Sequence, residues 1–89
     1  SMKQQDRFFR RRMREIVSAI RAVGLDPYSQ LAGYLRTGDD AYITQYENAR
    51  IKIRFLDRDD VFQLLQEHLR QEKLDAPSVP EGNSNQSLM

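Results

Sequence analysis

Cysteine is absent from this chain, which removes disulfides, cysteine-type structural zinc sites and thiol chemistry together. Tryptophan is also absent, and histidine occurs once, at His68, with no serine or acidic residue at a spacing that builds a nucleophilic site. A half-buried packing role is expected for it rather than catalysis or metal ligation. No apolar run approaches the roughly 20 residues that cross a bilayer. The N-terminus also lacks the apolar segment and small-residue cleavage site of a signal peptide. A cytoplasmic protein is expected. Ser1 ahead of Met2 reads as a scar of expression, which leaves open that residues before Met2 have been trimmed. A large excess of one charge is missing too: 14 Lys and Arg stand against 13 Asp and Glu, a formal net charge of +1. Neither a metal nor a cofactor is expected, and no enzyme motif appears.

Balanced charge conceals an uneven distribution. Lys3, Arg7, Arg10, Arg11, Arg12 and Arg14 precede Glu15 with only Asp6 among them, while acidic residues gather after Asp39. A basic arm of this kind suits nucleic acid or an acidic membrane surface, but helix-borne charge is more often a solvated face.

The apolar residues Phe9, Met13, Ile16, Val17, Ile20 and Val23 recur at spacings of three and four, predicting one helix from Asp6 to Val23 with Gly24 as its left-handed cap. Asp26 and Pro27 then form a start signal. The carboxylate accepts from free amides, and proline at the first helical position loses no needed hydrogen bond. A second helix is expected to about Arg36, with Leu31, Tyr34 and Leu35 on one side and Ala32 and Gly33 permitting close approach of a neighbouring helix. Thr37, Gly38, Asp39 and Asp40 have turn-forming composition, and too few oxygen ligands follow for a calcium loop.

Thr44 to Glu47 fits a capping box opening a third helix to about Leu56, with Tyr46, Ala49, Ile53 and Leu56 inward. Arg50, Arg54 and Arg58 recur every fourth residue on another face. They read either as a clamp for phosphate or carboxylate, or as surface ion pairs with Glu47 and with Asp57, Asp59 and Asp60. If they dock a partner, alanine at both Arg50 and Arg54 is expected to leave stability nearly unchanged. A fourth helix extends to about Lys73, burying Val61, Leu64, Leu65 and Leu69, with Phe62 available to a second interface. The fold class is all-α, a compact bundle of about four short helices formed by residues 6–74, between disordered residues 1–5 that include the scar and a disordered tail at 75–89 with too few apolar groups to order it. A unit this small without disulfides is expected to self-associate, with Tyr28, Tyr34, Tyr42 and Phe62 as candidates for burial.

The central segment resembles the small bacterial regulators called IreB or ReoM. The residues that carry the resemblance are Gly24, Pro27, Gln30, Gly33, Tyr34, Gly38, Asp39, Ala41, Tyr42, Ile43, Ala49 and Arg50, with Arg54, Arg58 and Asp59 in register, over roughly residues 14 to 70 without gaps. The resemblance implies a compact all-helical homodimer in the bacterial cytoplasm. It further implies a non-enzymatic substrate of a wall-sensing Ser/Thr kinase, influencing proteolytic turnover of an early peptidoglycan-synthesis enzyme and resistance to wall antibiotics. Arg50, Arg54 and Arg58 are the implied partner-binding residues, and the partner is a protein of a cell-wall or proteolysis pathway. Two departures stand out: residues 1–13 lack the family's phosphorylated threonine, and Thr44-Gln45 replaces its Pro-Arg step. The alternative from another class is a small nucleic-acid binder using Arg7, Arg10, Arg11, Arg12 and Arg14.

Overall fold

A computed structural model of the chain describes residues 2–75, with side chains from Arg7 to Gln71. The expected scar at Ser1 lies outside these residues, as does the expected tail at 75–89 except for Asp75, which ends the last helix. Four α-helices are present among them, α1 (Met2–Ala22), α2 (Pro27–Thr37), α3 (Ala49–Arg54) and α4 (Arg58–Asp75), with single 3-10 turns at Asp40–Tyr42 and Tyr46–Asn48. The all-α class follows as expected.

α1 starts at Met2, ahead of Asp6, because Lys3, Gln4 and Gln5 are good helix formers with no breaker among them. Its stripe buries Phe9, Met13, Ile16 and Ile20 together with Ala19, which the apolar pattern alone did not single out. Val23 does not join them and is 42% exposed. The reason is the cap. The Gly24 amide donates to the Arg21 carbonyl at 2.9 Å and the Leu25 amide to the Ile20 carbonyl at 3.2 Å, with Gly24 at φ +82°. This paired reversal turns the chain off the stripe before Val23 can follow it inward.

α2 begins as its sequence signal requires, with the Ser29 amide donating to Asp26 Oδ2 at 3.2 Å and Pro27 in the first turn. Leu31 and Tyr34 are buried and Leu35 is half-buried. The helix stops at Gly38, whose φ of +76° lets its amide donate to the Tyr34 carbonyl at 2.7 Å. The neighbour that Gly33 admits is the 3-10 turn at Asp40–Tyr42. The Tyr42 ring lies over it, so close that a Cβ built there would sit 2.5 Å from Tyr42 Cδ1 and 2.6 Å from Cε1. Gly33→Ala is therefore expected to lower stability by about 1 to 2 kcal/mol. Crowding of roughly 1 to 3 kcal/mol outweighs the better helix propensity of alanine. Thermal melting checks the loss, and unchanged melting would show that the ring moves aside freely.

The capping box does not form. The Thr44 hydroxyl accepts from the Tyr46 amide at 3.2 Å, and Glu47 and Asn48 take left-handed conformations at φ 53° and 62°. That conformation is costly for glutamate and tolerated by asparagine. The two residues reorient the chain so that Ile43 is buried before the turn and Ala49 and Ile53 after it, leaving Tyr46 49% exposed and α3 short. Leu56 is only half-buried. Asp57 caps α4, its Oδ1 accepting from the amides of Asp59 at 2.8 Å and Asp60 at 3.3 Å. Val61 and Leu65 are buried and Leu64 half-buried, but Leu69 is 48% exposed because α4 runs past the edge of the core. Phe9, Met13, Ile16 and Ile20 of α1 meet Leu31, Tyr34, Ile43, Ala49, Ile53, Val61 and Leu65 in one apolar cluster.

Candidate functional site

Arg50, Arg54 and Arg58 do not lie on one helix, since α3 ends at Arg54 and α4 begins at Arg58. They nevertheless converge on one segment, the turn from Gly38 to Ile43. Arg50 Nε donates to the Ile43 carbonyl at 2.8 Å and an Arg50 terminal nitrogen to the Ala41 carbonyl at 3.4 Å. Arg54 Nε donates to Asp40 Oδ2 at 2.6 Å. The Arg58 guanidinium lies over the Tyr34 ring, 6.0 Å from its centre, and within 3.4 Å of where a Gly38 Cβ would stand. The three side chains are thus laid in reverse order along the turn, the last at van der Waals distance from a Cβ position at Gly38.

The ion pairs expected from sequence are replaced by these contacts. Arg50 reaches main-chain carbonyls instead of Glu47, and Arg54 crosses to Asp40 instead of Asp57, whose carboxylate caps its own helix. Among the described residues Arg58 makes no ion pair. Arg50 is half-buried and Arg54 and Arg58 are exposed. A guanidinium has five N–H donors, so Arg50 and Arg54 both retain donors after holding the turn. The arrangement presents fixed, permanently charged forks of the kind that grip a carboxylate or phosphate.

The other residues singled out by sequence lie at helix ends, within α2 or in the turn itself. Pro27 is buried at the start of α2, Gln30 is half-buried on its second turn, and Gly24 caps α1. Asp39 caps the short turn, its Oδ1 accepting from the Ala41 amide at 2.9 Å, and Thr37 Oγ1 donates to the Gly33 carbonyl at 2.7 Å while accepting from the Asp39 amide. Tyr42, on Gly33, remains 39% exposed beside the fully buried Ile43. Asp40 and Ile43 are the residues whose parts sequence reasoning missed. Asp40 read only as a turn former, and nothing in local spacing signals a partner that lies fourteen residues away. The two adjacent carboxylates are engaged as a cap and an ion pair, in keeping with the turn reading. His68 stacks on Tyr28 with ring centres 4.0 Å apart and an 8° interplanar angle, a packing role.

The helix that carries Arg50 and Arg54 is tied to α1 through Lys52, whose Nζ lies 3.1 Å from Glu15 Oε1, and Arg12 approaches the same carboxylate at 3.2 Å. The hydrogen bond from Lys52 foremost holds the Glu15 carboxyl below its usual value of 4.5; desolvation, the next influence in size, opposes it, and the positive charges of Arg12, Lys52 and Arg11 add to the lowering. A lowered folded value means that the unfolded chain takes up the proton first. The contribution of this contact to stability is therefore present above about pH 4.5 and fades as pH falls through the lower folded value. Glu15→Gln is expected to flatten that part of the stability-versus-pH curve by slightly lowering stability at neutral pH, where the wild-type contact is intact, and leaving it unchanged in acid, where that contact is already lost. An identical acid limb in the variant would remove Glu15 from the account.

Residues 1–70 match the family model described as IreB regulatory phosphoprotein. The chain belongs to the IreB family. Its role is accordingly regulatory, and the residues around the turn from Gly38 to Ile43 fall within the matched region. Among the described residues of this IreB-family chain, no helix is long and apolar enough to cross a membrane.

Proposed function

We propose that this IreB-family chain is a non-enzymatic cytoplasmic regulator that docks onto proteins of a cell-wall or proteolysis pathway and thereby influences turnover of an early peptidoglycan-synthesis enzyme. The observation that carries the docking surface is the laying of Arg50, Arg54 and Arg58 along a single turn. Side chains already held in place lose little further freedom on binding, so their remaining donors are preorganised for an acidic or phosphorylated partner. Residues 1–13 contain no threonine, and no phosphorylated residue of this chain enters the proposal. The wall-sensing Ser/Thr kinase belongs to it as the upstream element that the family resemblance implies.

The nucleic-acid reading finds less support. The basic residues before Glu15 are dispersed around α1: Arg12 pairs with Glu15 and lies 4.6 Å from the Phe8 ring centre, whereas Arg10 faces Glu67 at 3.9 Å. In a gel shift with generic duplex at two salt concentrations, tight and steeply salt-dependent binding would favour it.

We also propose a homodimer, supported by the distribution of exposed apolar groups. Tyr34 is buried within the subunit and Tyr28 is stacked on His68, so neither drives association. Phe8, Ile51 and Phe55 are instead 61%, 50% and 82% exposed around a groove of about 720 Å³ that both Arg12 and Lys52 and both Asp57 and Asp60 also line. A patch carrying both charge signs around an apolar centre can pair with its own copy across a two-fold axis, as an isologous contact requires.

The regulatory reading is tested in the source bacterium. Deleting the gene should change the half-life of the wall-synthesis enzyme after translation arrest several-fold, with a matching change in resistance to wall antibiotics. The wild-type gene should restore both. An unchanged half-life would sink the pathway assignment.

A further inference from the structure

A second groove, of about 630 Å³, runs between α1, α2 and α4 and shares no residue with the arginines on the turn. Its floor is apolar, with Met13, Leu31, Val61 and Leu65 buried. Arg10, Arg14 and Arg21 of α1 form one edge, with exposed Ser18 between the last two, and none of the lining residues is acidic. Arg10 approaches Glu67 at 3.9 Å, whereas Arg14 and Arg21 have no ion partner among the described residues.

We infer that this groove receives an acidic amphipathic helix of a partner protein. From Arg10 to Arg21 the arginine edge extends about 16 Å at the rise of an α-helix, which is about three turns of a guest helix. Leucine-type residues recurring at three and four on such a guest would cover the floor, and carboxylates one turn apart on its flank would meet the guanidinium groups. The chemistry disfavours the other occupants. A second copy of the chain would bring like charges together across the two-fold axis. Nucleic acid offers phosphates but no apolar face for Met13 and Leu65, and a flat bilayer surface does not enter a concave groove. The inference does not depend on the docking of Arg50, Arg54 and Arg58, and its failure would leave that reading intact.

The probes are a set of labelled sixteen-residue helical peptides with leucines at helical spacing and glutamates three or four residues apart along one flank, with scrambled peptides of the same composition. Binding is followed by fluorescence anisotropy on the full chain and on two variants, Arg14→Glu with Arg21→Glu, which reverses the edge, and Ser18→Trp, which fills the groove without touching charge. Both alter exposed residues, and thermal melting confirms that each variant folds. At least one patterned peptide should bind at least ten-fold more tightly than its scramble. Each variant should weaken it at least ten-fold, with amide shifts in the wild type at Ser18, Leu31 and Leu65. Equal binding of the scrambled peptides, unchanged binding by either variant, or shifts centred on Ile51 and Phe55 would overturn the inference. So would no binding by any patterned peptide up to roughly millimolar concentration, or displacement by generic duplex that Arg14→Glu with Arg21→Glu abolishes and Ser18→Trp leaves intact.

Discussion

Arg50→Ala is expected to lower folding stability by about 2 kcal/mol, while Arg54→Ala costs at most about 1 kcal/mol. The difference follows from what each side chain holds. Arg50 Nε donates to a main-chain carbonyl at 2.8 Å from a half-buried position, and that carbonyl belongs to Ile43, which is fully buried. Removing a charged donor from such a carbonyl leaves an under-satisfied acceptor beside the core. The Arg54 pair with Asp40 has side chains 54% and 31% exposed, where water and salt screen the attraction. In a domain of this size a loss of about 2 kcal/mol lowers the melting temperature by about 8 to 16 °C. In place of the nearly unchanged stability expected from sequence, the double alanine variant is therefore expected to lose stability, and Arg50 is the reason. A cleaner test of docking is Arg54→Ala with Arg58→Ala. Melting should move by only a few degrees, whereas partner binding should weaken by roughly 2 to 5 kcal/mol if the guanidinium groups are desolvated in the complex. Lysine at both positions should rescue partly, since an ammonium keeps the charge and loses the planar fork. Unchanged binding in the alanine pair would leave these arginines as struts of the turn.

Phe55→Glu is expected to convert a dimer into monomers without unfolding them. Phe55 is 82% exposed at the end of α3, so its replacement removes no core contact within the subunit. Facing its own copy, a glutamate would have to be desolvated in an apolar centre, a penalty of several kcal/mol that the remaining contacts of a small interface do not offset. Light scattering at micromolar concentration should report twice 10.5 kDa for the wild type and 10.5 kDa for the variant. The wild-type melting temperature should also rise with protein concentration, and the variant's should not. A wild-type particle of 10.5 kDa, or a variant that keeps the double mass, would reject this surface as the interface.

What the sequence determined by itself is confined to interactions that close within a turn or two of helix. The α1 stripe, the Gly24 cap, the Asp26–Pro27 start and the turn at Thr37 to Asp40 all depend on residues a few positions apart, so their spacing carries the physics. Composition excluded disulfides and cysteine chemistry, and the family motif placed the chain among regulators. Tertiary structure decided the rest, because the deciding contacts join residues far apart in sequence or involve main-chain atoms that carry no sequence signal. Thr44 and Glu47 have the right spacing for a capping box, yet burial of Ile43, Ala49 and Ile53 together overrides that weak local preference and drives Glu47 and Asn48 into left-handed backbone. Gly33 read as a helix–helix contact and proves to be the seat of the Tyr42 ring. The periodicity of Arg50, Arg54 and Arg58 was visible, but their common target was not. Only packing of α3 and the start of α4 beside the turn after α2 brings them to Ile43, Asp40 and Gly38, across separations that local pattern does not encode.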